Sequence, residues 1–172
     1  ACSLAVERAA ATLVAGPRGA GKTTLLGALL WELPAATRTV AVEDTPELPV
    51  SRLRAAGRDV QTLRTEVGDG DGPAVDSATA LRTALRPGEG ALVVGEVRGE
   101  EAATLYEAMR VGASGSAVLG TIHGDGPEAV RERVVTDLGV PASSFAATDL
   151  VVSLAPPPDR GLAGLHEVRA TD

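Results

Sequence analysis

Gly16-Pro17-Arg18-Gly19-Ala20-Gly21-Lys22-Thr23-Thr24 has the spacing G-x-x-x-x-G-K-[ST], a pattern suited to seating phosphate. Glycines let successive backbone N–H groups turn inward on an anion, and the N-terminus of a following helix adds its positive end. Gly16, Gly19, Ala20, Gly21, Lys22, Thr23 and Thr24 are therefore the candidate phosphate-binding residues. In this pattern the lysine, here Lys22, reaches the β and γ phosphates of a nucleoside triphosphate, and the hydroxyl of Thr23 helps to hold Mg²⁺. Lys22 is also the only lysine in the chain, which otherwise uses arginine.

Three further groups stand where apolar runs end. Glu43 follows Thr39-Val40-Ala41-Val42, Glu96 follows Ala91-Leu92-Val93-Val94 with Gly95 between, and His123 follows Ala117 to Ile122. Hydrolysis of a nucleoside triphosphate needs phosphates held by backbone donors, a Mg²⁺ ion, and a carboxylate that orients or deprotonates water. Glu96 stands where that second carboxylate belongs, although a surface glutamate at a strand end would look the same in sequence. His123 is placed to donate a hydrogen bond to a γ-phosphate, and equally reads as a half-exposed polar residue. Arg98 pairs either with a phosphate or with a neighbouring carboxylate.

The elements that must position these groups alternate. Leu4 to Ala10 reads as a helix, Thr12 to Ala15 as a buried strand, and Leu25 to Leu33 as the helix after the glycine loop. Thr39 to Val42, Val60 to Leu63 and Ala91 to Val94 read as strands, with residues 49–75 the least regular part of the chain. A helix capped by Asp76 or Ser77 runs to Leu85, and a second runs from Glu100 to Val111. Ala117 to Ile122 is a strand, Pro127 to Leu138 a helix and Ser143 to Ala147 a helical turn. Leu150 to Leu154 and Leu165 to Arg169 close the pattern on either side of the turn Pro156 to Asp159. Alternating strands and helices predict an α/β fold with a mostly parallel central sheet flanked by helices. In such sheets ligands bind beyond the carboxyl ends of the strands, where all four groups fall.

Composition narrows the field. The 172 residues form one domain of ordinary size, and aromatics at 2% leave the core to Leu, Val and Ala. A net charge of −7 argues against a nucleic-acid-binding surface. Cys2 is the only cysteine, so no internal disulfide forms, which suits a cytoplasmic protein. No apolar run approaches the length of a membrane span. Gly68-Asp69-Gly70-Asp71-Gly72 lacks the glutamate that a calcium loop needs at its twelfth position, and reads as a solvated turn.

Four motifs together make a specific resemblance. Glu43-Asp44-Thr45-Pro46-Glu47 resembles the acidic box of the secretion ATPase superfamily, the motors of type II and type IV secretion and of pilus and archaellum assembly. Leu92 to Glu101 resembles its Walker B box, with Gly95 before Glu96, and Gly115-Ser116 through His123 its histidine box. With the glycine loop they run in family order from residue 16 to 123. The Glu-Asp-Thr-Pro-Glu form of the acidic box, together with the acidic, lysine-poor composition, most resembles the archaeal branch, and within it a haloarchaeal protein.

The resemblance implies a RecA-like P-loop NTPase domain that works as a homo-hexamer with ATP and Mg²⁺. Its place would be the cytoplasm, at the inner face of the cell membrane, against a membrane-embedded platform protein. It implies that Lys22, Glu43, Glu96 and His123 are catalytic, that Thr23, Glu96 and Glu43 surround the metal, and that Arg98 joins the nucleotide site. Three departures stand out: Gly112-Ala113 replaces the usual Gly-His, Gly124 replaces the usual Ala, and no counterpart of the family's arginine-donating N-terminal domain precedes the first strand. The chain is thus expected to be a C-terminal motor domain, 1–172. It also lacks the four-cysteine insert of some bacterial members.

Other functions compete. A RecA- or helicase-type nucleic-acid motor shares the fold but calls for a basic loop, and residues 64–76 set Arg64 against Glu66, Asp69, Asp71 and Asp76. A non-catalytic nucleotide-binding assembly subunit would be free to lose Lys22, Glu43, Glu96 or His123, all of which are in place. A small-molecule kinase would need an acceptor pocket or lid, and neither is recognisable.

Overall fold

The computed structural model describes residues 2–65, 79, 90–111, 117–155 and 161–168. A seven-stranded sheet runs in the order β3-β2-β4-β5-β1-β6-β7. Its strands are β1 (Thr12–Ala15), β2 (Thr39–Glu43), β3 (Val60–Arg64), β4 (Ala91–Val97), β5 (Ala117–Ile122), β6 (Leu150–Ala155) and β7 (Gly161–Glu167). Every neighbouring pair is parallel except β6 with β7. The α/β, mostly parallel architecture expected from the sequence is therefore the one observed.

Two helical layers cover the sheet. On one face lie α1 (Cys2–Glu7), α2 (Lys22–Glu32) and α3 (Val50–Ala55), packing Val6, Leu26, Leu29, Leu30 and Leu53 against Val14, Ala41, Val93 and Leu119. On the other lie α4 (Glu101–Val111), α5 (Pro127–Glu132) and α6 (Ala142–Phe145), packing Leu105, Tyr106, Val130 and Phe145 against Leu13, Val42, Val94 and Ile122. Strands covered on both faces need apolar residues at every position, which is why β1 and β5 are buried along their whole length.

Several elements depart from expectation. The first helix stops at Glu7, because Ala9 adopts a left-handed backbone (φ 59°) that turns the chain into β1. Helix α3 falls in the stretch that reads as irregular. It starts after Pro49, ends before Gly57 (φ 80°), and is held by the buried side chains of Val50 and Leu53. Helix α5 passes into a wider turn over Arg133–Asp137, where the Leu138 N–H reaches back five residues to the Arg133 carbonyl. Strand β7 covers Gly161–Glu167, ending earlier than Arg169. Strand β4 continues past Val94 to Val97, which places Glu96 within the strand. The helix expected to Leu85, the turn at Gly68 to Gly72 and the turn at Pro156 to Asp159 lie outside the described residues.

Arginine closes α2. The Arg58 guanidinium donates to the Leu33 and Trp31 carbonyls and lies 5.8 Å from the Trp31 ring centre, so one cation serves the helix terminus and an aromatic face.

Tyr106, the only tyrosine, is buried with its hydroxyl 3.0 Å from Thr148 Oγ1. Burial pushes its pKa up to about 12 from 10.0, against the opposing effect of the Thr148 hydrogen bond. Between those values the unfolded chain has lost a proton that the folded chain keeps, so stability falls as pH rises through that window. Urea denaturation should show the wild type losing about 2–3 kcal/mol from this group between pH 10 and 12, and Tyr106→Phe lacking that slope. Tyrosinate absorbance showing ionisation near 10 in the folded protein would refute the burial argument.

Candidate functional site

The glycine loop joins β1 to α2 at the carboxyl end of the sheet. Gly19 (φ 78°) and Gly21 (φ 94°) hold left-handed conformations that other residues rarely adopt. Gly16 has a further constraint: a Cβ there would lie 3.1 Å from the Leu154 carbonyl oxygen and 3.2 Å from Ala20 Cβ. The loop therefore packs against the end of β6 without side-chain bulk.

Lys22 opens α2 and is only 9% exposed. Its ammonium donates to the carbonyls of Gly16 (2.9 Å) and Pro17 (3.0 Å), arching back over the loop it follows. Burial lowers its pKa from the ordinary lysine value, while the nearby Glu96 carboxylate opposes the shift. Thr23 is half-buried and Thr24 exposed. Both line a groove of about 490 Å³ with Gly27, Ala28, Trp31 and Arg52.

Glu43 ends β2 and is 3% exposed. Its Oε1 accepts from the backbone N–H groups of Glu47 (3.0 Å) and Leu48 (2.9 Å), so the carboxylate shapes the loop that leads to α3. Its Oε2 is buried and has no hydrogen-bond partner. Beside it, a Cβ on Gly95 would come within 3.2 Å of Glu43 Cγ. Glycine at 95 is what lets the two acidic strand ends lie side by side.

Glu96 also carries an unsatisfied oxygen. Its Oε2 accepts from Arg98, whose second arm reaches Asp44 Oδ2 at 3.1 Å. Its Oε1 lies 2.9 Å from His123 Nε2, outside hydrogen-bond geometry, and is buried without a hydrogen-bond partner. The hydrogen bond to Glu96 raises the Arg98 pKa above its ordinary value. Arg98 is in turn placed by the start of α4, where Glu101 Oε1 accepts from the N–H groups of Arg98 (2.6 Å) and Gly99 (3.0 Å).

The structure thus brings together Lys22, Glu43, Glu96, Arg98 and His123 at the carboxyl ends of β1, β2, β4 and β5. Arg98 here pairs with the carboxylates of Glu96 and Asp44. Sequence reasoning missed Asp44, Gly95 and Thr121 as contributors. All three sat inside quoted motifs, but the motif spacing alone assigned none of them a part in the site. Gly112-Ala113 and Gly115-Ser116 lie outside the described residues. Gly124 has a local reason, since a Cβ there would lie 3.0 Å from Val130 Cγ2.

Mg²⁺ binds through one or two carboxylates while phosphate oxygens and waters complete its shell. The unsatisfied oxygens of Glu43 and Glu96, with the Thr23 hydroxyl, fit that requirement.

A glycine loop after the first strand of a mostly parallel sheet, acidic residues at the ends of the neighbouring strands β2 and β4, and this strand order define a RecA-like P-loop fold. The chain belongs to the type II/IV secretion system protein family, whose model matches residues 2–155. It is 37% identical over 131 residues to the type IV secretion system protein PtlH of Bordetella pertussis, covering 76% of this chain and 37% of that protein. It is 39% identical over 131 residues to a protein of Methanocaldococcus jannaschii, covering 76% of this chain and 46% of that one. The chain thus spans less than half the length of these relatives. Among solved structures, the VirB11 ATPase of Brucella suis in complex with sulphate superposes with a TM-score of 0.78 at 26% identity, over 96% of this chain and 50% of that one. The pilus retraction motor PilT with bound ADP shares the fold, with a TM-score of 0.70 at 23% identity over 99% of this chain and 50% of that one.

Glu43 has two separable duties. Glu43→Ala strips the Glu47 and Leu48 amides of their acceptor and should cost about 2 kcal/mol or more in urea denaturation. Glu43→Gln keeps an acceptor and most of that stability, yet should lose the Mg²⁺-dependent part of ATP affinity. Unchanged Mg²⁺ dependence in the glutamine variant would remove Glu43 from the metal.

Proposed function

We propose that the chain is the ATP-hydrolysing motor domain of a hexameric secretion or pilus-assembly ATPase. The observation that carries the reading is a pair of carboxylates, each with one buried oxygen lacking a hydrogen-bond partner, beside a phosphate loop with its lysine. In this reading residues 1–172 form a single RecA-like domain, and the seven-stranded sheet with a helical layer on each face supports it.

The chemistry is direct, in-line attack of water on the γ-phosphorus, with no covalent enzyme intermediate. The loop amides of residues 19 to 24 seat the phosphates, and the Lys22 ammonium exchanges its carbonyl partners for β and γ oxygens. Glu96 accepts a proton or hydrogen bond from the attacking water, steadied by Arg98 and His123. Thr23 and Glu43 would hold the metal, which leaves Glu96 for the water. When bound, Mg²⁺ neutralises charge on the phosphates.

The assembly half of the proposal rests on family membership and on the likeness to PtlH and VirB11. The ring acts in the cytoplasm, at the inner face of the cell membrane, against an embedded platform protein. Among the described residues no helix is long and apolar enough to cross a membrane. The charge of −7 disfavours nucleic acid as the partner, and the lysine-poor composition suits an archaeal, salt-adapted host.

Glu96→Gln should bind Mg·ATP with ordinary affinity and hydrolyse it ~100-fold more slowly or worse. Full turnover in that variant would take Glu96 out of the water-activating role. In steady-state assays with Mg²⁺ at high salt, activity per subunit should rise with protein concentration as rings form. Binding without turnover at every concentration, in the full-length protein, would favour a non-catalytic assembly subunit.

A further inference from the structure

The side on which Glu96 emerges is decided by a break in strand alternation. Along β4, Ala91 and Val93 pack into the α1–α3 layer, while Leu92 and Val94 pack into the α4–α6 layer. Strict alternation would send Glu96 after Leu92 and Val94, away from the phosphate loop. Instead Val97 lies in the α4–α6 layer with Val94. The cause is in the register. Val94 pairs with Gly120 and Val97 with Ile122, so Gly95 and Glu96 together face Thr121 alone. This is a β-bulge, and it returns Glu96 to the face that carries α2 and Lys22.

A bulge leaves ladder groups without their ordinary partners, and here a side chain meets that need. Thr121 is 1% exposed, and its hydroxyl donates to the Gly95 carbonyl at 2.6 Å. On the opposite side, the bulge is pressed against Glu43, within reach of a Cβ on residue 95. Strand β5 ends one residue later at Ile122, and His123 follows it with its ring beside Glu96. One hydroxyl therefore ties together the strand that presents Glu96 and the strand that presents His123.

We infer that Thr121 is a positioning residue for nucleotide hydrolysis: its hydroxyl locks the β4 bulge that turns Glu96 toward the phosphate loop. It touches neither phosphate nor water in this role, and acts through Glu96. The inference rests on the reading of Glu96 as the group that orients water.

The test uses the full-length protein with Thr121→Val, which keeps the branched shape and removes the donor, and Thr121→Ser, which keeps the donor. Thr121→Ala covers the case in which valine does not fold. Displacing a catalytic group by about an ångström costs ~100-fold in rate, so kcat for ATP should fall ~10- to 100-fold in the valine variant. Nucleotide affinity should hold, and serine should restore kcat. In a Glu96→Gln background, Thr121→Val should cause no further loss, because groups that act as a unit are not additive.

A wild-type kcat in both the valine and alanine variants, a parallel loss of nucleotide affinity, or a full extra loss in the Glu96→Gln background would each overturn the inference. A crystal structure of Thr121→Val decides it without turnover. Loss of the bulge, with Glu96 moved to the Val94 face, supports the lock, and an unchanged bulge defeats it. Full turnover by Glu96→Gln, or a wild type that binds but never hydrolyses ATP, would instead fail the motor reading and leave the structural arm standing.

Discussion

Two carboxylates taken out of water on neighbouring strands set the terms for everything around them. Glu43 is 3% exposed and the Glu96 side chain 17% exposed, and each keeps one oxygen without a hydrogen-bond donor. Burying such groups is unfavourable unless charge and donors compensate. The compensation is visible piece by piece: two backbone amides on Glu43, the Arg98 guanidinium on Glu96, and the Lys22 ammonium within electrostatic reach. The Arg98 fork spreads across Glu96 and Asp44, so the acidic ends of β2 and β4 share one counter-charge. What remains is one oxygen on each carboxylate without a hydrogen-bond donor, that of Glu96 beside the His123 ring. A site arranged in this way is poised for ligand because its own residues leave it electrostatically unfinished.

The parallel sheet was readable because strands buried on both faces must be continuously apolar. Thr12–Ala15, Thr39–Val42 and Ala117–Ile122 announce themselves by that rule. The phosphate loop was readable because backbone anion binding demands glycine at fixed spacing. Helix α3 was missed because it spans only six residues and has no long apolar stripe. Its signals were Pro49 before and Gly57 after, the usual asymmetry of helix ends.

The bulge at Gly95 and Glu96 could not be read from spacing at all. A run such as Ala91-Leu92-Val93-Val94 is apolar on both faces, so it holds no alternation from which a shift in parity could be detected. Only the pairing of Val94 with Gly120 and Val97 with Ile122 reveals it. Likewise, a sequence lists Glu96, Arg98, Asp44 and His123 as charged or polar residues, but not which oxygen meets which nitrogen. Motif resemblance located the residues, and packing decided their partners.

Helix α2 begins at Lys22 in the phosphate loop and ends beside Trp31, about 15 Å away at 1.5 Å per residue. Its ladder of hydrogen bonds makes it a stiff strut, and Arg58 latches the far end through the Trp31 and Leu33 carbonyls. Arg58 stands just before β3, the outermost strand beside β2. A displacement of the loop along the helix axis therefore cannot be absorbed within α2. Through Arg58, one stiff element joins the phosphate loop to the rim of the sheet.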